Sequence, residues 1–160
     1  MHADHLSGAP CIQQILGGKI GIGEHVQTVQ EASGKIFNEG TEFESDGSQF
    51  DRLFKDGDHY QIGDMVCSAI YTPGHTLACI VHFMGDTTFS GETLFMPDGG
   101  DACADFSGGD AGQLFVSITR VLSLPEEVRL FVCHECGPNG RAISWETTIG
   151  TQKLENIHLG

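Results

Sequence analysis

The first residues of the chain that could do chemistry are two histidines and an aspartate near its start. His2, Asp4 and His5 lie within four consecutive positions, immediately before a segment with helical periodicity. Neutral imidazole nitrogens and a carboxylate oxygen are ligands that suit zinc or iron. A loop that leads into a helix can turn these side chains toward one point. Asp4 has a second interpretation as the N-cap of that helix.

Three further candidate ligands each follow a predicted strand. His75 comes after an apolar strand, and the preceding Pro73 and Gly74 allow a bend that projects it from the strand end. His134 follows a second apolar run in the same way, and Glu92 follows a short strand between them. We therefore predict that these side chains meet the N-terminal histidines around a common cation.

This order of residues resembles the signature of the metallo-β-lactamase superfamily. That signature has a His-x-His-x-Asp-His motif, a histidine in Pro-Gly-His-Thr, an aspartate in Gly-Asp-Thr/Ala-Leu and a histidine at the end of a late strand. The resemblance covers almost the whole chain and is strongest to the glyoxalase II and persulfide dioxygenase branch, through segments 73–76, 91–95 and 105–106. It implies an α+β fold, a metallo-β-lactamase-like αβ/βα sandwich with its metals at one edge between two sheets. The residues that match the family's metal ligands are His2, Asp4, His5, His75, Glu92 and His134, with Asp4 also as the catalytic residue.

The chain departs from the family signature at several matched positions. The first family histidine would lie two places before His2, so we expect an incomplete sandwich that lacks its N-terminal strands and also ends early. Glu92 stands in place of an aspartate, and its extra methylene moves the carboxylate by roughly 1.5 Å, a large change beside the tolerance of metal–ligand distances. Cys103 replaces an arginine that would hold an anionic group of glutathione, and Cys136 replaces an aromatic residue that contacts the thiol substrate. Together with Asp105, these two cysteines are the positions that the resemblance assigns to substrate binding.

Three functions remain open on these residues. A mononuclear iron(II) dioxygenase acting on a glutathione persulfide would use His2, His75 and Glu92 as a two-histidine, one-carboxylate face. A zinc(II) thioesterase of the glyoxalase II kind would bind a second metal through Asp4, His5 and His134. Glu92 would then bridge the two metals. The third alternative, from a different class, is a truncated, non-catalytic remnant that binds metal weakly. The dioxygenase is the leading hypothesis, and its substrate rests on the resemblance alone.

The charge balance limits the classes of partner. Among 160 residues, 22 Asp and Glu face 8 Lys and Arg, which gives a formal net charge of −14. Such a surface repels phosphate backbones and anionic lipids, so we predict neither nucleic-acid nor membrane binding. An apolar run of about 18 to 20 residues, as a membrane span requires, does not occur. We expect a single domain over residues 1–160 in the cytoplasm, acting on a small-molecule thiol or thioester and able to form a homo-oligomer.

The remaining cysteines and histidines do not form a recognisable site. The six cysteines are scattered, and three lie in apolar runs, so we predict buried, reduced thiols rather than disulfides. Only Cys133 and Cys136 are three positions apart, which disfavours a zinc knuckle. Four histidines without a surrounding motif are predicted to be ordinary surface or core residues: His25, His59, His82 and His158.

Both helices and strands are predicted to position the candidate ligands. Strands dominate the middle of the chain. The periodicity predicts helices over residues 7–16, 24–32 and 111–122. In the last of these, Asp110 is the N-cap, and the core-facing residues are Leu114, Phe115, Ile118, Val121 and Leu122. Strands are predicted over residues 19–22, 60–62, 65–71, 79–84, 87–90 and 128–133. Segments 39–50 and 94–109 are predicted as loops, and 142–148 is undecided.

Overall fold

A computed structural model of the protein describes residues 8–37 and 44–159. The predicted ligands His2, Asp4 and His5 lie outside these ranges, as do residue 7 of the first predicted helix and residues 39–43 of a predicted loop. The structure therefore describes the downstream part of the predicted site, which comprises His75, Glu92 and His134.

The described ranges contain helices near both ends and a run of five consecutive strands in the middle, as expected for an α+β protein. The strand over residues 65–71 and the helix over residues 111–122 have the bounds that the periodicity predicts. None of the described helices combines the length and apolar character that crossing a membrane requires. In chain order the elements are α1 Ala9–Leu16, β1 Gly21–Gly23, α2 Val26–Phe37, β2 Arg52–Phe54, β3 His59–Ile62, β4 Met65–Tyr71, β5 Ile80–Met84, β6 Thr87–Phe89, α3 Ala111–Leu122, β7 Arg129–Phe131, β8 Glu146–Thr148 and α4 Ile149–Glu155.

The main sheet brings the three described candidate ligands to one edge. Its strand order is β3-β4-β5-β6-β7-β8, and neighbours are antiparallel except for the parallel pair β6 and β7. Because β5 runs opposite to both β4 and β6, the carboxyl ends of β4, β6 and β7 lie at the same edge. The loops that carry His75, Glu92 and His134 start at these three ends. Since Phe89 pairs with Phe131, Glu92 and His134 each follow the paired strand ends by three residues.

A second, two-stranded sheet covers part of one face of the main sheet. Strands β1 and β2 are parallel, and the Phe54 ring lies 4.7 Å from the Tyr60 ring and 5.4 Å from the His82 ring, between ring centroids. The pairing register places Tyr60 and His82 on the same face of the main sheet. The two sheets thus face each other as the layers of a sandwich.

The core lies between the other face of the main sheet and helices α3 and α4. Helix α3 begins as predicted, because the Asp110 carboxylate accepts a hydrogen bond from the backbone N–H of Gln113 over 2.9 Å. The prediction for Phe115 is wrong: it is 61% exposed, because its position is about 100° around the helix from that of Leu114. The buried core residues are Val81, Leu94, Leu114, Ile118, Val121, Val128, Leu130 and Ile149.

Short elements account for most of the remaining differences from the sequence prediction. Strand β2, strand β8 and helix α4 lie where no element was assigned, and strand β7 has three residues rather than six. Each of these strands is only three residues long, which is too short to show a hydrophobic period. Whether such a segment forms a strand depends on pairing with a neighbouring strand. Helix α4 buries the polar side chain of Gln152, which weakens its apolar pattern.

The cysteines are free thiols, as predicted, but most are not buried. Cys67 is buried and Cys79 is partly buried. The prediction of burial is wrong for the other four, which are exposed: Cys11, Cys103, Cys133 and Cys136. For Cys133 the reason is that strand β7 ends at Phe131, before the apolar run of the sequence does.

His82 is a partly buried histidine between the two sheets, and its surroundings favour the neutral ring. The Tyr60 hydroxyl oxygen and Nδ1 of His82 are hydrogen-bonded at 2.8 Å. Burial raises the pKa of Tyr60 to about 12, so this hydroxyl keeps its proton at neutral pH. Burial also lowers the pKa of His82, because the charged imidazolium is poorly solvated beneath the Phe54 ring. The folded protein therefore holds His82 neutral.

We expect this histidine to make folding stability sensitive to acid. In the unfolded chain the imidazole binds its proton near the ordinary histidine pKa of about 6.5. The contribution of the neutral ring to folding stability is therefore complete above that pH. It is lost as the pH falls toward and through the lowered pKa of the folded state. Urea unfolding at pH 7 and pH 5 should show a larger loss of stability for the wild type than for His82→Gln, which keeps an acceptor for Tyr60. Equal losses in the two proteins would contradict this assignment.

Candidate metal centre

The loop that carries His75 is anchored on the first half of helix α3. The carbonyl oxygen of Gly74 accepts a hydrogen bond from the N–H of Asp110 over 2.8 Å, and that of Pro73 accepts one from the Ser117 hydroxyl over 2.7 Å. Gly74 has a φ of 141°, and a Cβ there would come closer than 3.0 Å to the backbone of Leu114. The strand-to-loop bend therefore requires glycine at this position.

His75 is held in the orientation of a metal ligand. Its side chain is buried, with the residue 3% exposed, and Nδ1 lies 2.6 Å from the carbonyl oxygen of Cys103. A carbonyl only accepts, so Nδ1 carries the proton and Nε2 carries the lone pair. The Phe106 ring packs edge-on against the imidazole at 5.1 Å between centroids. This is the usual way in which an outer partner fixes the tautomer of a ligating histidine.

Glu92 lies in a single 3-10 turn, Gly91–Thr93, that is hydrogen-bonded to the ends of strands β4 and β7. Within this turn the Thr93 hydroxyl donates to the Thr72 hydroxyl oxygen over 3.0 Å, and both residues are fully buried. The Ser90 hydroxyl lies within hydrogen-bond distance of the carbonyl oxygens of Leu94 and Phe131, at 2.8 and 3.1 Å. These contacts link the turn to the ends of β4 and β7, so the position of the carboxylate is set by the sheet edge.

His134 meets Glu92 directly. Nε2 of His134 lies 2.9 Å from Oε1 of Glu92, and the Phe95 ring stands edge-on to the imidazole at 6.0 Å between centroids. The Glu92 side chain is 16% exposed and that of His134 is 38% exposed. A carboxylate and an imidazole nitrogen therefore converge on one partly covered point.

Cys133 joins this pair, and the sequence analysis did not select it. Donor atoms of Glu92, Cys133 and His134 all lie within 4.8 Å of one another, and they form the metal-type donor group found among the described residues. Although the residue as a whole is exposed, its thiol is partly desolvated, and this desolvation, followed by the negative charge of Glu92, raises the pKa of Cys133 to about 12. Its adjacency to His134 was the signal in the sequence. The neighbouring Cys136, by contrast, is outside the donor group.

Arg141 holds the loop that carries His134 against the loop after β6. Its guanidinium donates to both carboxylate oxygens of Asp98, over 2.6 and 2.9 Å, and to Glu135 over 2.7 Å. These hydrogen bonds lower the pKa of Asp98, and with the Gly137 N–H they lower the pKa of Glu135 as well. Because Glu135 directly follows His134, the arginine restrains the backbone beside the imidazole.

We expect Arg141→Ala to weaken zinc binding by up to about 10-fold, less than removal of a group that contacts a ligand directly, because Arg141 acts on His134 only through the adjacent Glu135. Competition with a chromophoric chelator measures the affinity. Arg129→Ala is the matched control, because Arg129 pairs with Glu146 at the opposite end of β7. Equal affinities for both variants would show that the Arg141 bridge does not position His134.

The residues that the resemblance assigned to substrate binding fall on two loops. Cys103 and Asp105 lie beside His75: the Cys103 carbonyl accepts from its imidazole, and a hydrogen bond from the Cys103 thiol lowers the pKa of Asp105. Cys136 lies on the loop that follows His134 and is exposed. Their role in substrate binding stays a prediction.

A cavity of about 680 Å³ opens beside the site. His75, Thr76, Cys79 and Glu92 line one side of it. The rest of its wall is mostly apolar and comes from α1, β1, α2 and the segment before β2, with Pro10, Ile22, Val29 and Phe50 among its residues. His75 and Glu92 thus face the same space, although His75 is not one of the three donors within 4.8 Å.

The donor chemistry fits a divalent metal ion. Two ligand atoms that each lie about 2.0 to 2.1 Å from a tetrahedral zinc are about 3.3 Å apart. The 2.9 Å between Oε1 of Glu92 and Nε2 of His134 is close to that separation, so the two atoms are spaced much as two ligands of one cation would be. The tautomer of His75 leaves Nε2 as a further nitrogen donor at the same sheet edge. Which of the six predicted ligands bind metal remains a prediction, with His2, Asp4 and His5 outside the described residues.

Curated relatives match nearly the whole chain. A protein named probable metallo-hydrolase from Burkholderia pseudomallei is 48% identical over 169 residues, covering 99% of this chain and 58% of the relative. Glyoxylase B2 from Dictyostelium discoideum is 44% identical, with 99% and 55% covered. Hydroxyacylglutathione hydrolase from Rhodospirillum rubrum is 34% identical over 87 residues, 53% of this chain and 32% of that protein. The chain spans roughly a third to three-fifths of the length of these relatives.

Solved structures share the fold at low sequence identity. ETHE1 from Myxococcus xanthus superposes with a TM-score of 0.74 at 24% identity, over 99% of this chain and 59% of that one. The B3 metallo-β-lactamase BLEG-1 has a TM-score of 0.74 at 22% identity, with 99% and 73% covered. A protein solved in a di-iron-bound form has a TM-score of 0.69 at 22% identity, with the same coverage.

The comparisons and the geometry agree on the architecture. No family model matches the chain. Its relatives are nevertheless named metallo-hydrolases and glyoxalase-like proteins, its structural neighbours have the metallo-β-lactamase fold, and its candidate ligands lie at one edge of the main sheet. The chain therefore has the metallo-β-lactamase fold, and over 99% of its length it is similar to a protein named probable metallo-hydrolase.

Proposed function

We propose that this chain carries part of the metal centre of a hydrolase whose substrate is a small thioester. The 2.9 Å approach of Glu92 to His134 carries this proposal. In the thioesterase hypothesis Glu92 bridges two metals and His134 binds the second one. In the dioxygenase hypothesis His134 is not a ligand, so nothing requires it to meet Glu92. The contact therefore favours the hydrolase, which was the alternative in the sequence analysis.

The residues of this chain would hold the metal and limit its exposure to water. Glu92 and His134 would be the main ligands of the metal. His75 would bind through Nε2, because its Nδ1–H donates a hydrogen bond to the Cys103 carbonyl oxygen. The rings of Phe95 and Phe106 pack edge-on against the two imidazoles and restrict their rotation. A bound divalent cation supplies Lewis acidity, which polarises a carbonyl oxygen and lowers the pKa of a water molecule. Asp4, predicted as the catalytic residue, belongs to the same proposal.

The cavity beside the site supports a thioester substrate. Its wall is mostly apolar and meets His75 and Glu92 on one side, so an acyl group can lie in it with the reacting carbonyl near the donors. The names hydroxyacylglutathione hydrolase and glyoxylase B2 among the relatives support the same substrate class. The free thiols support the cytoplasmic location that we propose for it.

Metal analysis and a thioester assay test the proposal together. We expect the purified protein to bind up to two zinc ions per chain and to hydrolyse S-lactoylglutathione. His134→Ala should lose one of the two zinc ions and the hydrolysis, whereas His59→Ala, which alters an exposed histidine on β3, should keep both. Sub-stoichiometric metal in the wild type would overturn the proposal and support the non-catalytic remnant.

A persulfide dioxygenase is the second candidate, because His75 and Glu92 line the same cavity. Together with His2, these residues would supply the two-histidine, one-carboxylate face of a mononuclear iron(II) site. Its substrate would be a glutathione persulfide. About one iron per chain and oxygen uptake with glutathione persulfide, without thioester hydrolysis, would select this candidate over the thioesterase. His134→Ala should then leave the iron content unchanged.

A further inference from the structure

The metal-type donor group of the structure includes a sulfur atom that the family signature does not contain. The signature supplies only nitrogen and oxygen ligands, and it places histidine at position 134 with no ligand at 133. In this chain the Cys133 sulfur lies within 4.8 Å of the donor atoms of both Glu92 and His134. A cation placed between the carboxylate and the imidazole is therefore also close to a thiol.

Local backbone structure explains how two consecutive residues can both face the site. Strand β7 ends at Phe131, so residues 133 and 134 are no longer held in the alternation of a β-strand. The Arg141 bridge to Glu135 and Asp98 then fixes the chain just after them. Neighbouring side chains that would point to opposite faces of a strand can here turn toward the same point.

The distances are compatible with direct coordination. Zinc–sulfur bonds are about 2.3 Å, and zinc bonds to imidazole nitrogen and carboxylate oxygen are about 2.0 to 2.2 Å. Ligand atoms around one such tetrahedral ion are about 3.3 to 3.7 Å apart, inside the 4.8 Å limit within which these three donors already lie.

We propose that Cys133 is a ligand of the metal held by Glu92 and His134, which gives this site a mixed sulfur, nitrogen and oxygen donor set. The inference rests on the metal centre of the proposed function. When a divalent cation binds, the Cys133 thiol gives up its proton to solvent, and the sulfur forms the new bond as a thiolate. A thiolate ligand favours zinc and cobalt over the harder manganese and magnesium ions, so the site should discriminate among metals.

Cobalt(II) provides a direct test, because thiolate-to-cobalt charge transfer absorbs in the near ultraviolet. We expect the wild-type protein with cobalt to show this band and Cys133→Ser to lose it, with cobalt affinity lowered at least about 10- to 100-fold. Cys136→Ser and Cys79→Ser are the matched controls and should keep the band. Cys136 is exposed and outside the donor group, and Cys79 lines the adjacent cavity.

The outcomes separate this inference from the proposed function. Stoichiometric cobalt without the charge-transfer band would overturn the Cys133 assignment and leave the metal centre standing. Loss of the band in Cys136→Ser or Cys79→Ser, with the band kept in Cys133→Ser, would also overturn it. Absence of bound cobalt in the wild type would overturn both.

A second measurement needs no variant. Alkylation by iodoacetamide at alkaline pH, followed by peptide mapping, should modify Cys136 readily and Cys133 more slowly in the metal-free protein, because the raised pKa of Cys133 leaves little thiolate. Zinc should slow the modification of Cys133 by more than about tenfold and leave that of Cys136 unchanged, because a coordinated thiolate is a poor nucleophile. Equal reactivity of the two cysteines with zinc bound would overturn the assignment.

Discussion

Replacing Gly74 with alanine is expected to destabilise the protein by about 3–5 kcal/mol. Two costs add at this position. A φ of 141° is a backbone conformation that alanine rarely adopts, and the new Cβ would come closer than 3.0 Å to the backbone nitrogen and Cα of Leu114. Helix α3 cannot yield easily, since Leu114 is buried in the core and the helix start is hydrogen-bonded to Gly74 itself. Urea unfolding measures the loss.

The turn between β3 and β4 offers a control that separates the two costs. Gly63 also has a positive φ, of 59°, but no atom lies within 4 Å of the position of its missing Cβ. Gly63→Ala should therefore cost only about 1–2 kcal/mol, the price of the backbone conformation alone. If the two variants unfold at the same urea concentration, the contact between Gly74 and α3 is not what shapes the loop.

Glu92→Gln is expected to lower zinc affinity more than about 100-fold, since loss of an outer partner alone commonly costs 10- to 100-fold. Glutamine keeps the length and shape of the side chain but replaces an anionic oxygen with an amide, which is a poor ligand for zinc. The buried threonine pair beneath the turn should still hold the backbone in place. Isothermal titration or chelator competition gives the affinity, and unfolding midpoints show whether the fold is retained.

Glu126→Gln is the matched control for this substitution. Glu126 pairs with Lys153, and its side chain is 73% exposed. The same chemical change there should leave zinc binding unaltered. Zinc affinities within threefold of each other for the two variants would remove Glu92 from the metal centre.

Glu92 differs from the aspartate of the family pattern, yet its carboxylate still contacts His134. The sequence analysis expected an extra methylene to displace the carboxylate by roughly 1.5 Å. In the structure the longer side chain reaches Nε2 of His134 at 2.9 Å. The position of the turn at the sheet edge, which the sequence does not reveal, decides that glutamate can make this contact.

The sequence by itself determined strand β4, helix α3 and the identity of three described candidate ligands, whereas for the 12-residue helix α2 it predicted only residues 24–32. Strand β4 and helix α3 are long enough for their apolar periods to be unambiguous, and the loop motifs around His75, Glu92 and His134 are recognisable from residue order. The three-residue strands β2, β7 and β8 could not be predicted in this way, because their pairing partners lie elsewhere in the chain.

Only the tertiary structure decided which donors meet. Residue order does not say that β4, β6 and β7 end at the same edge; strand direction and order in the sheet do. The same applies to Cys133, whose sulfur lies near Glu92 because β7 ends two residues earlier than the apolar run predicts. Contacts between distant segments depend on how the chain packs. Local sequence patterns do not show which distant segments come close together in space.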